Sequence, residues 1–392
     1  MDLESELITQ QSATETETEI MTAGPIVIPA KDRIAKGQPY YTPLTEKDLT
    51  WKVPNNAATE TQSFYFVTED NKFMFFQLAF AVVGWIHNVQ ISYNIIDTDK
   101  SQFKTITCSS SSFKTSSDKL SAECDNLAYE RTADPKTGLS IYKVHFKPPS
   151  GLQGEFTFIC SDNGAQIGAD GTSYVGTNQP SGAVKHGLLY SNQVQGHVAA
   201  IDGDLKGRLY QLNGQGLFVH ATIGDKPYSV LSTSYFTYFR GKDTNLLSLQ
   251  YFPPSKYNYS GAIDVTVVYK EGRLFTITAE SELTRLDNIK DPDTELSTPK
   301  RVNLKFDSYG IKDGKLDTEA AKLGFELSTN ELKLYDRVDV ISNLPYFIRK
   351  IIQAFITKPY IYEYFQPATL SISNGEQTEV IEGNLFYELS YC

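Results

Sequence analysis

Along most of this chain apolar and polar residues alternate with a period of two. Val89, Ile91, Tyr93 and Ile95 take every second position, so one face of Trp85–Ile96 points inward. Leu139–Phe146 repeats the pattern, with Ile141, Lys143 and His145 on one side and Tyr142, Val144 and Phe146 on the other. Aromatic and β-branched runs at Phe64–Phe66, Lys72–Phe80 and Gly154–Cys160 are split by turn signals at Glu69-Asp70-Asn71, Gly84 and Pro148-Pro149-Ser150-Gly151. Together these predict an antiparallel meander. The second half carries similar runs at Leu217–Ala221, Tyr235–Arg240, Leu246–Tyr251, Ala262–Tyr269, Leu274–Ala279, Val302–Phe306, Leu323–Leu327 and Glu379–Tyr391.

One stretch departs from this period. In Leu334–Phe365, Val338 and Val340 alternate with charged neighbours, as in a short strand. Ser342 or Asn343 can then cap a helix, Pro345 suits its first turn, and Leu344, Phe347, Ile348, Ile351, Ile352 and Phe355 share one face. Pro359 stops that helix, and Tyr360, Tyr362 and Phe365 return to strand chemistry. The unit reads as the closing segment of a barrel, its helix (344–355) covering an open end. Two residues here have expected structural roles. Pro345 starts the helix, and Arg337 packs across an aromatic ring to pin the closing strand, against the plainer reading of a surface ion pair.

With 392 residues the chain can hold two cores. Residues 1–23 are rich in Thr, Glu and Gln and lack Lys and Arg, so 1–35 is expected to be a disordered acidic tail. The glycine-rich segment 161–187 reads as loop. Asn213-Gly214-Gln215-Gly216 reads as the boundary between domains at 36–213 and 214–392. The expected fold is all-β, with two antiparallel barrels in tandem and a helix near the C-terminus.

Composition narrows the chemistry. Lys and Arg total 36 against 47 Asp and Glu, a net charge of −11, with no basic cluster to neutralise phosphates. Nucleic acid is thereby excluded as a partner, and general attraction to anionic membranes is disfavoured, leaving at most a peripheral contact. The acidic N-terminus lacks the basic and apolar regions of a secretion signal, and Cys108, Cys124, Cys160 and Cys392 show no Cys-x-x-Cys spacing. Free thiols in a reducing compartment and no secretion are expected, in the cytoplasm, with the nucleus and the periphery of endoplasmic reticulum or Golgi membranes left open. The best apolar run, Leu78–Ile86, is far too short to span a bilayer. No nucleophile elbow, zinc-protease pair or phosphate loop occurs, so no catalytic residue, metal or cofactor is expected.

Binding remains. An antiparallel barrel of about eight strands can hold one small ligand, and an apolar lumen gains ~0.8 kcal/mol per buried CH₂ of a lipid tail. Trp51, Phe64, Phe75, Trp85 and Tyr93 are the aromatic candidates for such a pocket, against the plainer reading that they are core. His186 leaves a glycine-rich loop beside Lys185 and is the candidate for orienting a headgroup at a barrel mouth; the plainer reading is a turn cap.

The sequence Asp336-Arg337-Val338-Asp339-Val340, followed by Leu344-Pro345, Phe347 and Ile351 and then by Thr357–Tyr364, resembles the C-terminal signature of the fungal survival factor family. Similar residues recur in order at Lys36–Trp51, Glu60–Phe66 and Phe76–Asp97, and at Gly176, His186, Gly196 and Lys226-Pro227. The resemblance implies two lipocalin-like barrels in a non-enzymatic, intracellular protein supporting survival under oxidative and cold stress. It further implies ceramide or a related sphingolipid as ligand, carried between endoplasmic reticulum and Golgi. Members that associate with membranes carry an amphipathic N-terminal helix, which the acidic start of this chain does not match. Two rival readings stay open: an isomerase or hydratase of lipocalin-like fold, and a protein-interaction scaffold with packed lumens.

Overall fold

A computed structural model describes residues 26–55, 57–83, 86–340, 342 and 359–392. Trp85, Pro345 and the expected helix 344–355 lie outside the described residues, as do residues 1–25 of the expected tail. Two large antiparallel sheets each curl around their own core. In the first, hydrogen-bonded neighbours run Ile86–Asp97, Phe73–Val83, Thr59–Thr68, Leu209–Ile223, Ala183–Ala200, Leu152–Cys160, Ser140–Phe146, Leu127–Ala133 and Ala122–Cys124. In the second they run Arg273–Thr278, Ile263–Lys270, Thr244–Phe252, Thr233–Gly241, Thr378–Tyr391, Tyr360–Ser373, Leu323–Ser328, Arg301–Ser308 and Glu282–Leu286. Leu334–Asp339 adds to Tyr360–Ser373, which is the expected return strand.

The consecutive aromatic runs belong to strands buried on both faces. In Thr59–Thr68, Phe64 and Phe66 enter the first barrel's core while Tyr65 and Val67 face the second barrel. In Thr378–Tyr391, Leu385, Tyr387 and Leu389 fill the second core while Phe386 faces the first barrel. Phe73 stacks on Phe386 across the junction, with ring centroids 3.8 Å apart and planes 8° from parallel. A strand covered on both sides loses the polar half of its alternation, so these runs read as continuous apolar sequence.

Three local expectations are revised. Asn213–Gly216 is no turn: Leu209–Ile223 runs straight through it and pairs on both sides. A Cβ on Gly214 would lie 2.3 Å from the Val67 carbonyl oxygen, and one on Gly216 would lie 2.4 Å from that of Tyr65. The glycines therefore mark close backbone approach inside a sheet. The chain leaves the first sheet at Ile223 and enters the second at Thr233, so residue 213 falls within a first-barrel strand. The segment 161–187 is only partly loop, since Thr172–Gly176 and the start of Ala183–Ala200 lie in it. Ile26–Ile28, at the end of the expected tail, pairs with Thr172–Gly176, and Arg33 bonds the Asp170 carboxylate at 2.7 Å.

Candidate functional site: a cleft between the barrels

Among the aromatic candidates that are described, Trp51, Phe64, Phe75 and Tyr93 do not share one cavity. Phe64 is 1% exposed, at the centre of the first barrel, with Tyr129, Tyr142, Phe156, Phe158 and Phe218 centred 4.9–6.2 Å from it. These rings occupy the barrel's interior. Trp51 packs edge-on to Phe113 and donates its indole hydrogen to the Tyr129 hydroxyl, which in turn donates to the Gln62 amide oxygen. Tyr93 spends its hydroxyl on the Ser150 carbonyl, at 2.7 Å, and accepts the Leu152 amide at 3.2 Å. Phe75 lies on the opposite face of its strand, beside Tyr65 at the junction with the second barrel.

Under the first barrel sits an unanticipated pair. Glu60 and His220 are 0% and 3% exposed, with Oε1 and Nε2 2.6 Å apart. The other ring nitrogen, 2.9 Å from the Asp48 carbonyl, must donate to it, because a carbonyl only accepts. Glu60 Oε2 accepts the backbone amides of Lys52 and Val53 at 2.7 and 2.8 Å. The Asp48 carboxylate meets Lys185 Nζ at 2.6 Å. Together these bonds clamp the segment around residues 48–53 onto the barrel. Arg337 takes the plainer of its two readings: its guanidinium meets Asp291 at 3.0 Å and Asp293 at 2.6 Å instead of a ring. These pairs link Leu334–Asp339 to the Asp291–Thr294 turn, where the Thr294 hydroxyl contacts that of Tyr362.

The junction between barrels holds the chemistry. Asp336, Glu363 and Glu388 are successive register partners on three neighbouring strands and form a row facing the first barrel. Among the described residues no Lys or Arg reaches ion-pair distance of any of them. The Asn94 amide nitrogen donates to Asp336, at 2.9 Å, and to Glu363. Burial first, then the neighbouring carboxylates Glu388 and Asp336, hold Glu363 well above the usual carboxylate range. Burial likewise raises Glu388 and Asp336. A row of carboxyls crowded in this way, with Glu363 buried and Asp336 and Glu388 half-buried, favours holding protons above the ordinary carboxyl range.

Glu388 also lines a chamber of about 150 Å³ between the sheets, with Ser63, Tyr65, Gln77, His186 and Tyr251 around it. His186 therefore lies between the barrels and not at a barrel mouth. Burial, with His220 adding a smaller effect, pushes it down to about 4, so its imidazole is neutral near pH 7. Leu231 and Ser234 separate the chamber from a larger cleft of about 310 Å³. Ala81, Val82, Pro227, Tyr228, Leu231 and Ile361 give this cleft apolar walls. Gln90 stands on its rim with a buried side-chain nitrogen that has no hydrogen-bond partner among the described residues. The short helix Pro227–Val230, opened by a proline in its first turn, sets Tyr228 and Leu231 between the sheets. The arrangement offers an apolar slot leading to neutral or proton-holding polar groups.

Neither the cleft nor the carboxyl row was picked out from the sequence. A signal existed: Tyr362-Glu363-Tyr364 and Tyr387-Glu388-Leu389 each embed one carboxylate in an otherwise apolar strand. Gln90 and Leu231 carried none. Among the described residues no cluster of His, Cys, Asp or Glu is arranged to hold a metal, and no helix is long and apolar enough to cross a membrane.

Two curled antiparallel sheets packed face to face define a two-barrel, lipocalin-like protein. The model of the Svf1 family matches residues 5–392, and the chain belongs to that family. The ceramide-binding protein svf-1 of Neurospora crassa is 31% identical over 378 residues, covering 94% of each chain. The ceramide-binding protein svf1 of Schizosaccharomyces pombe is 25% identical, covering 89% of each. The fold is similar to that of CghA solved with Sch210972, at TM-score 0.54 and 10% identity, covering 93% of this chain and 98% of that one. Kievitone hydratase from Nectria haematococca gives TM-score 0.53 at 11% identity, covering 94% and 98%.

Proposed function

We propose that this chain binds a ceramide-class lipid in the cleft between its barrels and carries it without altering it. The observation that supports this most is the pairing of an apolar slot with an unspent amide at Gln90 and a polar chamber without a fixed cation. A ceramide presents aliphatic tails and an uncharged head of amide and hydroxyls. Tails gain ~0.8 kcal/mol per buried CH₂, while buried hydrogen-bonding groups require partners such as those facing the chamber. The names of the relatives favour the same ligand class. An intracellular site of action and a role in stress survival belong to this reading too, as the family resemblance implies.

Titration of the full chain with a short-chain fluorescent ceramide tests the proposal. Leu231→Asp places a charge in the apolar wall and is expected to weaken binding at least tenfold, while Val144→Ala, inside the first barrel, leaves it within twofold. Binding untouched by Leu231→Asp removes the cleft from the reading, and no binding by the native chain removes the ligand class. Lipid recovered with altered mass would favour a hydratase or isomerase, with Glu388 and His186 as the groups to substitute next.

A further inference from the structure

Cys108 ends the strand Lys104–Cys108, and Cys124 ends the strand Ala122–Cys124. The first pairs with Ile86–Asp97 at one edge of the first barrel's sheet; the second is held by Leu127–Ala133 near the other edge. Among the described residues no backbone ladder joins the two strands, so the seam of the barrel runs between them. Both side chains belong to the barrel's core, are 5% and 8% exposed, and place their sulfurs 3.3 Å apart as free thiols. Their backbones are tied together as well: the Ser109 amide donates to the Asp125 carboxylate at 2.9 Å, and the Asp125 amide donates to Ser112 Oγ at 3.2 Å. A disulfide needs its sulfurs about 2.05 Å apart, so little movement separates the pair from a bond.

We propose that Cys108 and Cys124 form a reversible dithiol–disulfide pair that staples the first barrel's seam when a peroxide reaches it. The Cys124 thiol donates to the Cys108 sulfur, which holds Cys108 below the usual thiol range and makes it the nucleophile. That same contact, with burial, keeps Cys124 protonated. Cys108 thiolate attacks hydrogen peroxide: a sulfur–oxygen bond forms, the oxygen–oxygen bond breaks, and hydroxide takes up a proton and leaves as water. Cys124 then attacks the resulting sulfenic sulfur, its proton going to the departing hydroxide, which leaves as a second water. Two thiols are oxidised, one peroxide is reduced, and a thiol reductant reverses the bond by exchange. The staple acts on two sheet edges that backbone hydrogen bonds leave unjoined. Cys160 and Cys392, both raised by burial, have no such partner thiol.

The test treats the folded full-length chain with sub-millimolar hydrogen peroxide, alkylates it under denaturing conditions and maps the peptides by mass spectrometry. The expected result is a fall from four alkylatable thiols to two, with one linked peptide pair containing Cys108 and Cys124. Dithiothreitol should reverse the link, and the oxidised form should unfold a few degrees higher. Linkage through Cys160 or Cys392, sulfinate at Cys108 without linkage, or four thiols still free would overturn the proposal. Cys124→Ser adds a check, because Cys108 should then be trapped by dimedone as a sulfenic acid. The map of the native chain decides the matter even where that variant does not fold.

Discussion

At the scale of single residues, the first barrel divides its buried side chains between filling space and holding the chain down. Phe64 fills space, and its truncation to Ala falls in the range of about 3–5 kcal/mol for a large buried ring. His220 holds the chain down, because its ring links Glu60 in one strand to the backbone of residue 48. His220→Ala leaves a carboxyl buried beside a cavity, and breaking such a pair costs about 3–5 kcal/mol. Urea unfolding of His220→Ala, Glu60→Ala and the double variant checks this. The double variant should lose clearly less than the sum of the two single losses, since the second truncation removes the group that the first left unpaired. Additive losses would mean the two side chains act separately.

At the scale of elements, glycine does different work in different strands. Gly214 lies in a paired strand against the Val67 carbonyl, so Gly214→Ala must push two strands apart, at about 1–3 kcal/mol. Gly310 has open space where its Cβ would go, and Gly310→Ala should stay within about 0.5 kcal/mol. Chemical denaturation of the two variants separates a glycine required by close backbone contact from one with free space around it. Gly214 and Gly216 show why element boundaries were harder to read than elements. The alternation of Tyr142, Val144 and Phe146 survives intact because its other face meets solvent, and the structure buries those three as expected. Asn213–Gly216 looked like a turn because composition cannot distinguish a glycine that bends the chain from one that lets strands approach. Of the candidate site, Trp51, Phe64, Phe75 and Tyr93 were legible as buried but not as to which face they served. Phe64 and Phe75 are chemically alike, yet they point into different cores. The cleft is formed by residues from both barrels, and no local pattern records which distant strands will meet.

At the scale of the whole molecule, the junction makes stability depend on pH in an unusual direction. Glu363, Glu388 and Asp336 are all raised by burial, with like charge adding at Glu363, and Asp264 inside the second barrel is pushed up to about 7, again by burial. Between the ordinary carboxyl range, about 4, and these raised values, the folded chain binds more protons than the unfolded one. Stability contributed by these groups is therefore fully present below that range and is lost as pH rises through the folded values. His186 acts in the opposite sense: it is held neutral when folded, so its contribution is lost as pH falls from about 6.5 towards 4. Surface carboxylates lowered by partners, such as Asp170 beside Arg33, lose their contribution only at still lower pH. The optimum should therefore fall on the acid side of neutrality, with a decline as pH rises through about 7 at Asp264 and through the raised range of the carboxyl row. Glu363→Gln keeps the shape and the polar contact but cannot ionise. Urea unfolding from pH 5 to 9 should show a flatter decline for this variant, and at pH 8 it should match or exceed the native chain in stability. A decline as steep as the native one would mean that the protons leave from elsewhere and that the row between the barrels does not set the alkaline limit of the fold.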